Sequence, residues 1–305
     1  MPLEQFSHEA LFYRGIEDMV ATVGPFVREG VDLGEPVLVA MLPDRTRALR
    51  EGLGAAAREV TFLDMEEAGR NPARIIPAWR HFLDSVPDDR TVRGVGEPVW
   101  AGRRDVEIDE CHLHESLLNV AFDDGPAWRL LCPYDADALS DTVVRDAIRT
   151  HPVVWGERRD VQYAGHAHAR SAFAEPLPPS QFDADEITFT GADLSGLRGI
   201  VLRVGLQSGI GRDAAEDITL AAHELATNSV LHAGGGGSLS AWTQPDAFVV
   251  EVRDSGRIEN PLVGREQGFA LAEGGRGIWM ANRLCDLVQI RSTSQGTVVR
   301  LFTWR

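Results

Sequence analysis

Up to about residue 151 the chain keeps one rhythm, a short apolar run followed by an amphipathic stretch, repeated. Pro36-Val37-Leu38-Val39-Ala40-Met41, Val60-Thr61-Phe62-Leu63, Thr91-Val92-Arg93-Gly94-Val95 and Trp128-Arg129-Leu130-Leu131-Cys132 read as strands. Residues 19–28, 43–53, 73–86, 111–122 and 141–150 read as helices between or after them. Runs that are apolar on both faces and alternate with helices imply a mainly parallel sheet covered on both sides. Past residue 155 the rhythm stops. Pro176-Leu177-Pro178-Pro179 forbids a continuing helix. Helices expected at 194–206 and 213–232 are then followed by two hairpins, a pattern that implies a two-layer α/β sandwich. The chain is therefore expected to be α/β throughout, with a domain at 1–155, a linker at 156–182 and a second domain at 183–305.

Charge limits the partners. A net charge of −16 repels phosphate backbones and anionic membranes, so proteins and small ligands are expected rather than direct nucleic-acid or membrane contact. Cys111, Cys132 and Cys285 are few and far apart, which fits a reducing cytosol. No apolar stretch approaches the ~18 residues of a membrane span, and the first residues carry no basic leader. The expected location is cytoplasmic.

Ligands of parallel sheets sit at the carboxyl ends of strands. That points to Leu42-Pro43-Asp44, Gly96-Glu97-Pro98 and Pro133-Tyr134-Asp135. No Gly-x4-Gly-Lys-Ser/Thr follows the first strand, and Val99 stands where the last glycine of a dinucleotide fingerprint belongs, so both phosphate cradles are excluded there. Cys111-His112-x-His114 matches no standard zinc spacing and reads as structural. Cys132, Tyr134 and Asp135 are either a packed strand exit or a sensory site. Gly34-Glu35-Pro36-Val37-Leu38-Val39-Ala40, Glu115-x-x-x-Asn119, Cys132-Pro133-Tyr134-Asp135 and Thr150-His151-Pro152 resemble the MEDS sensory domain of methanogen and methylotroph regulators. The resemblance implies a RecA-like fold without a phosphate loop, responding to an unknown small-molecule signal.

In the second half, Glu224 and Asn228 lie one turn apart on a helix, with His232 a further turn along. Ile218, Ala222, Leu225 and Ser229 form an adjacent stripe suited to packing on a sheet. Asp254-Ser255-Gly256 follows a strand, Gly274-Gly275-Arg276-Gly277 opens a helix, and Gly296-Thr297 enters the final strand. His223-Glu224 is not a zinc-protease motif, because Thr227 occupies the position of the second histidine. In this order the four segments resemble the GHKL (histidine-kinase-like, Bergerat) ATPases, and among them the anti-sigma-factor serine kinases of the RsbW/SpoIIAB type.

The resemblance implies ATP and Mg2+ as ligands. Asp254 would accept the adenine amine, with Gly256 and Thr297 beside it. Gly275, Arg276 and Gly277 would hold the phosphates at a helix N-terminus. Asn228 would bind the magnesium, Glu224 would serve as the general base, and His232 would stand behind the phosphates. Residues 257–274 would form a lid. Two departures stand out: Ile258 replaces the second glycine of the Asp-x-Gly-x-Gly motif, and no long helix bearing a phospho-acceptor histidine precedes the domain. The implied function is a serine kinase acting on an anti-anti-sigma (STAS-type) protein, and/or binding a sigma factor. The alternatives are a non-catalytic nucleotide-gated switch and an atypical sensor histidine kinase; a homodimer is left open.

Overall fold

The computed structural model describes residues 5–87, 89–155, 163–266 and 275–305. The chain divides into two compact units, residues 1–169 and 170–305. In the first unit β1 (Ser7–Tyr13), α1 (Gly15–Asp32), β2 (Val37–Met41), α2 (Pro43–Leu53), β3 (Val60–Asp64) and α3 (Met65–Ala68) come first. They are followed by α4 (Ile75–Asp84), β4 (Val92–Gly96), α5 (Asp105–Ala121), β5 (Trp128–Asp135), α6 (Asp141–Thr150) and β6 (Val153–Val154). All strand pairs of this RecA-like sheet are parallel, in the order β3-β2-β4-β5-β1-β6. Crossovers between parallel strands are right-handed almost without exception. The connections leaving β1 and β2 step one way along the sheet, and those leaving β3, β4 and β5 step the other. Hence α1 and α2 cover one face, and α4, α5 and α6 the other. The first face is sealed by Leu11, Val23, Phe26, Val39, Leu49 and Val95.

β1 escaped the sequence reading. Its Ser7-His8-Glu9 opening resembles a surface segment, yet His8 and Glu9 are buried, because the strand lies between β5 and β6. The segment expected to be a polar linker likewise holds a helix, α7 (His166–Phe173), with Ala169 and Phe173 buried.

The second unit runs β7 (Glu186–Thr190), α8 (Leu194–Ser208), α9 (Arg212–His232), β8 (Gly236–Gln244), β9 (Ala247–Asp254), α10 (Gly275–Leu284), β10 (Leu287–Thr293) and β11 (Gly296–Trp304). Its sheet, β10-β11-β9-β8-β7, is antiparallel at every pairing. Ile218, Ala222, Leu225 and Ser229 of α9 are all buried. Each of the two larger side chains contributes about 1.5–3 kcal/mol by that burial, which fixes α9 with its neighbouring Glu224–Asn228 edge turned to the side. Among the described residues no helix is long and apolar enough to cross a membrane.

Candidate functional site

In the second unit, Asn228, His232, Asp254, Gly256 and Thr297 all line one cavity of about 390 Å³. They come from α9, the end of β9 and the start of β11, so only the folded sheet brings them together. Leu225, Val252, Ile278 and Val299 give the cavity apolar walls. Cavities of this size with few polar groups suit a small organic ligand.

The polar groups are held by one another. Asp254 Oδ2 accepts the Ser229 hydroxyl at 2.6 Å, and Oδ1 accepts the Gly256 N–H at 2.8 Å. An ionised carboxylate has about four acceptor positions, so lone pairs remain for an incoming amine. Thr297 Oγ1 donates to the Gly256 carbonyl at 2.9 Å and lies 3.0 Å from Ser292 Oγ. Ser292 Oγ in turn accepts the Ile258 N–H at 2.9 Å. Ile258 thus supplies a backbone anchor and a side chain in the cavity wall where a glycine was expected. From the sequence Ser229 was read only as part of the packing stripe and Ser292 was not singled out, since a serine among apolar residues carries no signal of its own.

Glu224 does not line this cavity; it lies one helical turn before Asn228, which does. Gly277 explains the contact between the two helices. A Cβ there would stand 2.6 Å from Asn228 Nδ2 and 3.3 Å from Glu224 Cβ, so only glycine lets the first turn of α10 reach the Glu224–Asn228 edge. Asn228 Nδ2 is buried and has no hydrogen-bond partner among the described residues. Gly275 and Arg276 share that first turn, with Arg276 exposed. Gly274 and the rest of residues 267–274 of the expected lid lie outside the described residues. The described part of that segment forms one wall through Arg257, Ile258, Glu259, Asn260 and Val263. It is tied to α10 by the Asn282 side-chain amide, which donates to the Gly264 carbonyl at 2.9 Å.

In the first unit the three residues Cys132, Tyr134 and Asp135 are not brought to one face. Successive side chains of a strand point to opposite faces. Cys132 lies on the α5 face with His8 and Glu115, and Tyr134 on the same face stacks edge-on to His151. Asp135 lies on the other face, 3.7 Å from Arg45. Arg45 also pairs with Glu97, which accepts the Tyr13 hydroxyl at 2.7 Å. Glu97 belongs to one of the strand ends the sequence pointed to, whereas Tyr13 and Arg45 were not singled out; the three meet at the carboxyl ends of β1, β2 and β4. Cys111, His112 and His114 do not converge: Cys111 Sγ points at the Pro98 carbonyl and His112 faces Asp146.

Burial, only partly offset by Arg45 and by the Tyr13 hydrogen bond, pushes Glu97 up to about 8, with Asp135 and Asp44 acting in the same upward direction. The folded chain then keeps a proton on Glu97 that the unfolded chain releases near its ordinary value of 4.5. Stability from this group is full below that ordinary value and is lost as pH rises through about 8. Glu97→Gln is expected to flatten this dependence. Thermal melts of the full chain at about pH 6 and about pH 9 check it: the wild type should lose more stability than the variant across that window.

Residues 7–152 match the family model of the MEDS domain, the methanogen/methylotroph, DcmR sensory domain. Residues 187–303 match that of the histidine kinase-like ATPase domain. A crystal structure of the RsbU and RsbW domains of Rv1364c from Mycobacterium tuberculosis aligns at 18% identity and a TM-score of 0.30, covering 40% of this chain and 33% of that one. No curated protein matches the chain. An ATPase domain of this family binds ATP, and the cavity bounded by Asn228, Asp254 and Thr297 lies within the matched residues.

Proposed function

Because the chain joins a MEDS sensory domain to a histidine kinase-like ATPase domain, which makes it a signalling regulator, we propose that the second domain phosphorylates a serine of an anti-anti-sigma (STAS-type) partner, under control of the first. The observation that carries this reading is the convergence of Asn228, Asp254, Gly256 and Thr297 on one cavity, with Glu224 one helical turn from Asn228.

Each group then has a task. Asp254, held by Ser229 and Gly256, accepts the exocyclic amine of adenine. The bare N–H groups of Gly275, Arg276 and Gly277 open α10, where the helix dipole favours phosphate oxygens. Asn228 would hold Mg2+ through its amide oxygen, and the ion would supply charge neutralisation at the phosphates. Glu224 takes the proton of the serine hydroxyl as its oxygen bonds the γ-phosphorus, and ADP leaves with the electrons of the broken P–O bond. A serine, rather than a histidine of this chain, is the acceptor we favour, because between β6 and β7 the described residues hold only the eight-residue α7, too short for a paired long helix that presents a phospho-acceptor histidine.

The test is incubation of the full chain with Mg2+, γ-labelled ATP and a candidate STAS-type partner. Acid-stable label on a partner serine is expected. Label that is acid-labile and sits on this chain points to the histidine-kinase alternative. ATP binding with no transfer to any candidate partner sinks the kinase reading. The absence of Glu224 from the cavity lining favours one second reading, a switch in which bound nucleotide only sets the surface offered to a partner.

A further inference from the structure

We propose that His8, Glu115, Cys132 and His151 are the ligands of one buried divalent metal ion of the zinc class inside the sensory domain. The ligands come from β1, α5, β5 and the residue after α6, so the fold gathers them from four segments. Their donor atoms all lie within 4.8 Å of one another, and all four residues are buried.

The spacing is that of a cage. His8 Nε2 lies 3.0 Å from Glu115 Oε2 and 3.3 Å from Cys132 Sγ, and His151 Nε2 lies 3.2 Å from the same Glu115 oxygen. Zinc bond lengths in a tetrahedron put N/O donors about 3.3 Å apart and an N–S pair about 3.6 Å apart. The three close pairs fit to within about 0.6 Å, and a movement of roughly an ångström by the farthest pair completes the set.

The hydrogen bonds behind the ligands decide what faces the centre. Asn119 Nδ2 donates to the Thr150 carbonyl at 2.8 Å, which turns Asn119 Oδ1 towards His8 Nδ1 at 3.1 Å. An amide oxygen only accepts, so His8 carries its proton on Nδ1. His151 Nδ1 lies 2.7 Å from the Ala147 carbonyl and carries its proton for the same reason. In the neutral rings both Nε2 atoms therefore aim lone pairs at the Glu115 carboxylate, which is itself only an acceptor. Consistent with that, His151 Nε2 and both Glu115 oxygens lack a hydrogen bond of proper geometry despite the short distances. A proton on one ring relieves only one of the two contacts, and protons on both place two cations in rings 4.0 Å apart. One dication relieves all of them. With a thiolate and a carboxylate it forms a neutral unit, which burial requires. Outer partners that fix the ring tautomers are the usual support of metal-bound histidines.

The mixture of two imidazoles, a thiolate and a carboxylate selects a borderline transition metal over magnesium or calcium. A cavity of about 280 Å³, lined among others by Phe6, Pro152, Tyr163 and His166, reaches Asn119, the residue behind His8.

The experiment uses the tag-free full chain, purified without chelator. Elemental analysis is expected to find about one zinc-class ion per chain. After exchange into Co2+, a thiolate charge-transfer band and intense tetrahedral d–d bands are expected. Cys132→Ser should abolish the charge-transfer band, whereas Cys111→Ser should keep it. Asn119→Ala should weaken Zn2+ binding about 10–100-fold. Circular dichroism and Mg-ATP binding by the second unit serve as fold controls for each variant. A folded chain that holds no metal and takes up neither Zn2+ nor Co2+ overturns the proposal and leaves an imidazolium–carboxylate pair. A Co2+ spectrum unchanged by Cys132→Ser overturns it as well.

Discussion

Glu224→Gln is expected to lower serine phosphotransfer by about 10²–10⁴-fold, the usual worth of a positioned general base, with Mg-ATP affinity nearly unchanged. Glutamine keeps the shape and the packing of the side chain against Gly277 but cannot take the hydroxyl proton. Affinity should survive because adenine and metal contacts fall to Asp254, Thr297 and Asn228, which line the cavity while Glu224 does not. The kinetic signature is a fall in kcat with little change in KM for ATP, the pattern of a group that acts only in the transition state. Asn228→Ala should give the converse, a loss of calorimetric Mg-ATP affinity. If the protein is instead a nucleotide-gated switch, Glu224→Gln leaves partner binding and downstream regulation intact. A variant with wild-type phosphotransfer removes Glu224 from the chemistry altogether.

What could be read from residues alone follows physical lines. The second-half helix α9 was legible because a buried stripe at Ile218, Ala222, Leu225 and Ser229 leaves a period of one turn. The strands β2, β3, β4 and β5 were legible as short, mainly apolar runs set between amphipathic stretches. β1 was not, since its buried His8 and Glu9 are polar and become buried only when β5 and β6 flank the strand. Missing β1 hid His8, and with it the cluster that Cys132 joins. The division of Cys132 and Tyr134 from Asp135 was readable in principle from strand alternation. It needed the knowledge that β5 stays extended through Asp135. Arg45 and Glu97 are far apart in sequence, and nothing local says that α2 begins beside the end of β4. In the nucleotide cavity the separate segments meant little one by one; their order carried the reading, and antiparallel pairing of β9 with β11 supplies the proximity of Thr297 to Asp254.

Gly296→Ala is expected to cost the second unit several kcal/mol of stability and much of its ATP affinity. Gly296 has φ +126°, a conformation that side chains rarely adopt, and an added Cβ would stand 2.1 Å from the Asp254 carbonyl oxygen. Strain of that kind alone costs about 1–3 kcal/mol, and the clash adds to it because the opposing atom is backbone and has no rotamer to change. Against a typical domain stability of about 5–15 kcal/mol the sum is severe. Relief requires β9 and β11 to part at their Thr297–Asp254 pairing. That shift moves the Asp254 carboxylate away from Ser229 and Gly256, the two groups that aim it into the cavity. Thermal melts with and without Mg-ATP separate the two losses. The variant should melt lower without ligand, and ligand should raise its midpoint less than the wild type's, since stabilisation follows affinity. Gly196→Ala in α8 is the control: nothing lies within 4 Å of its added Cβ, so it should be neutral or stabilise by about 0.4–1 kcal/mol. Equal melting of the Gly296 and Gly196 variants, with equal ligand shifts, would show that the β9–β11 junction does not hold the adenine carboxylate in place.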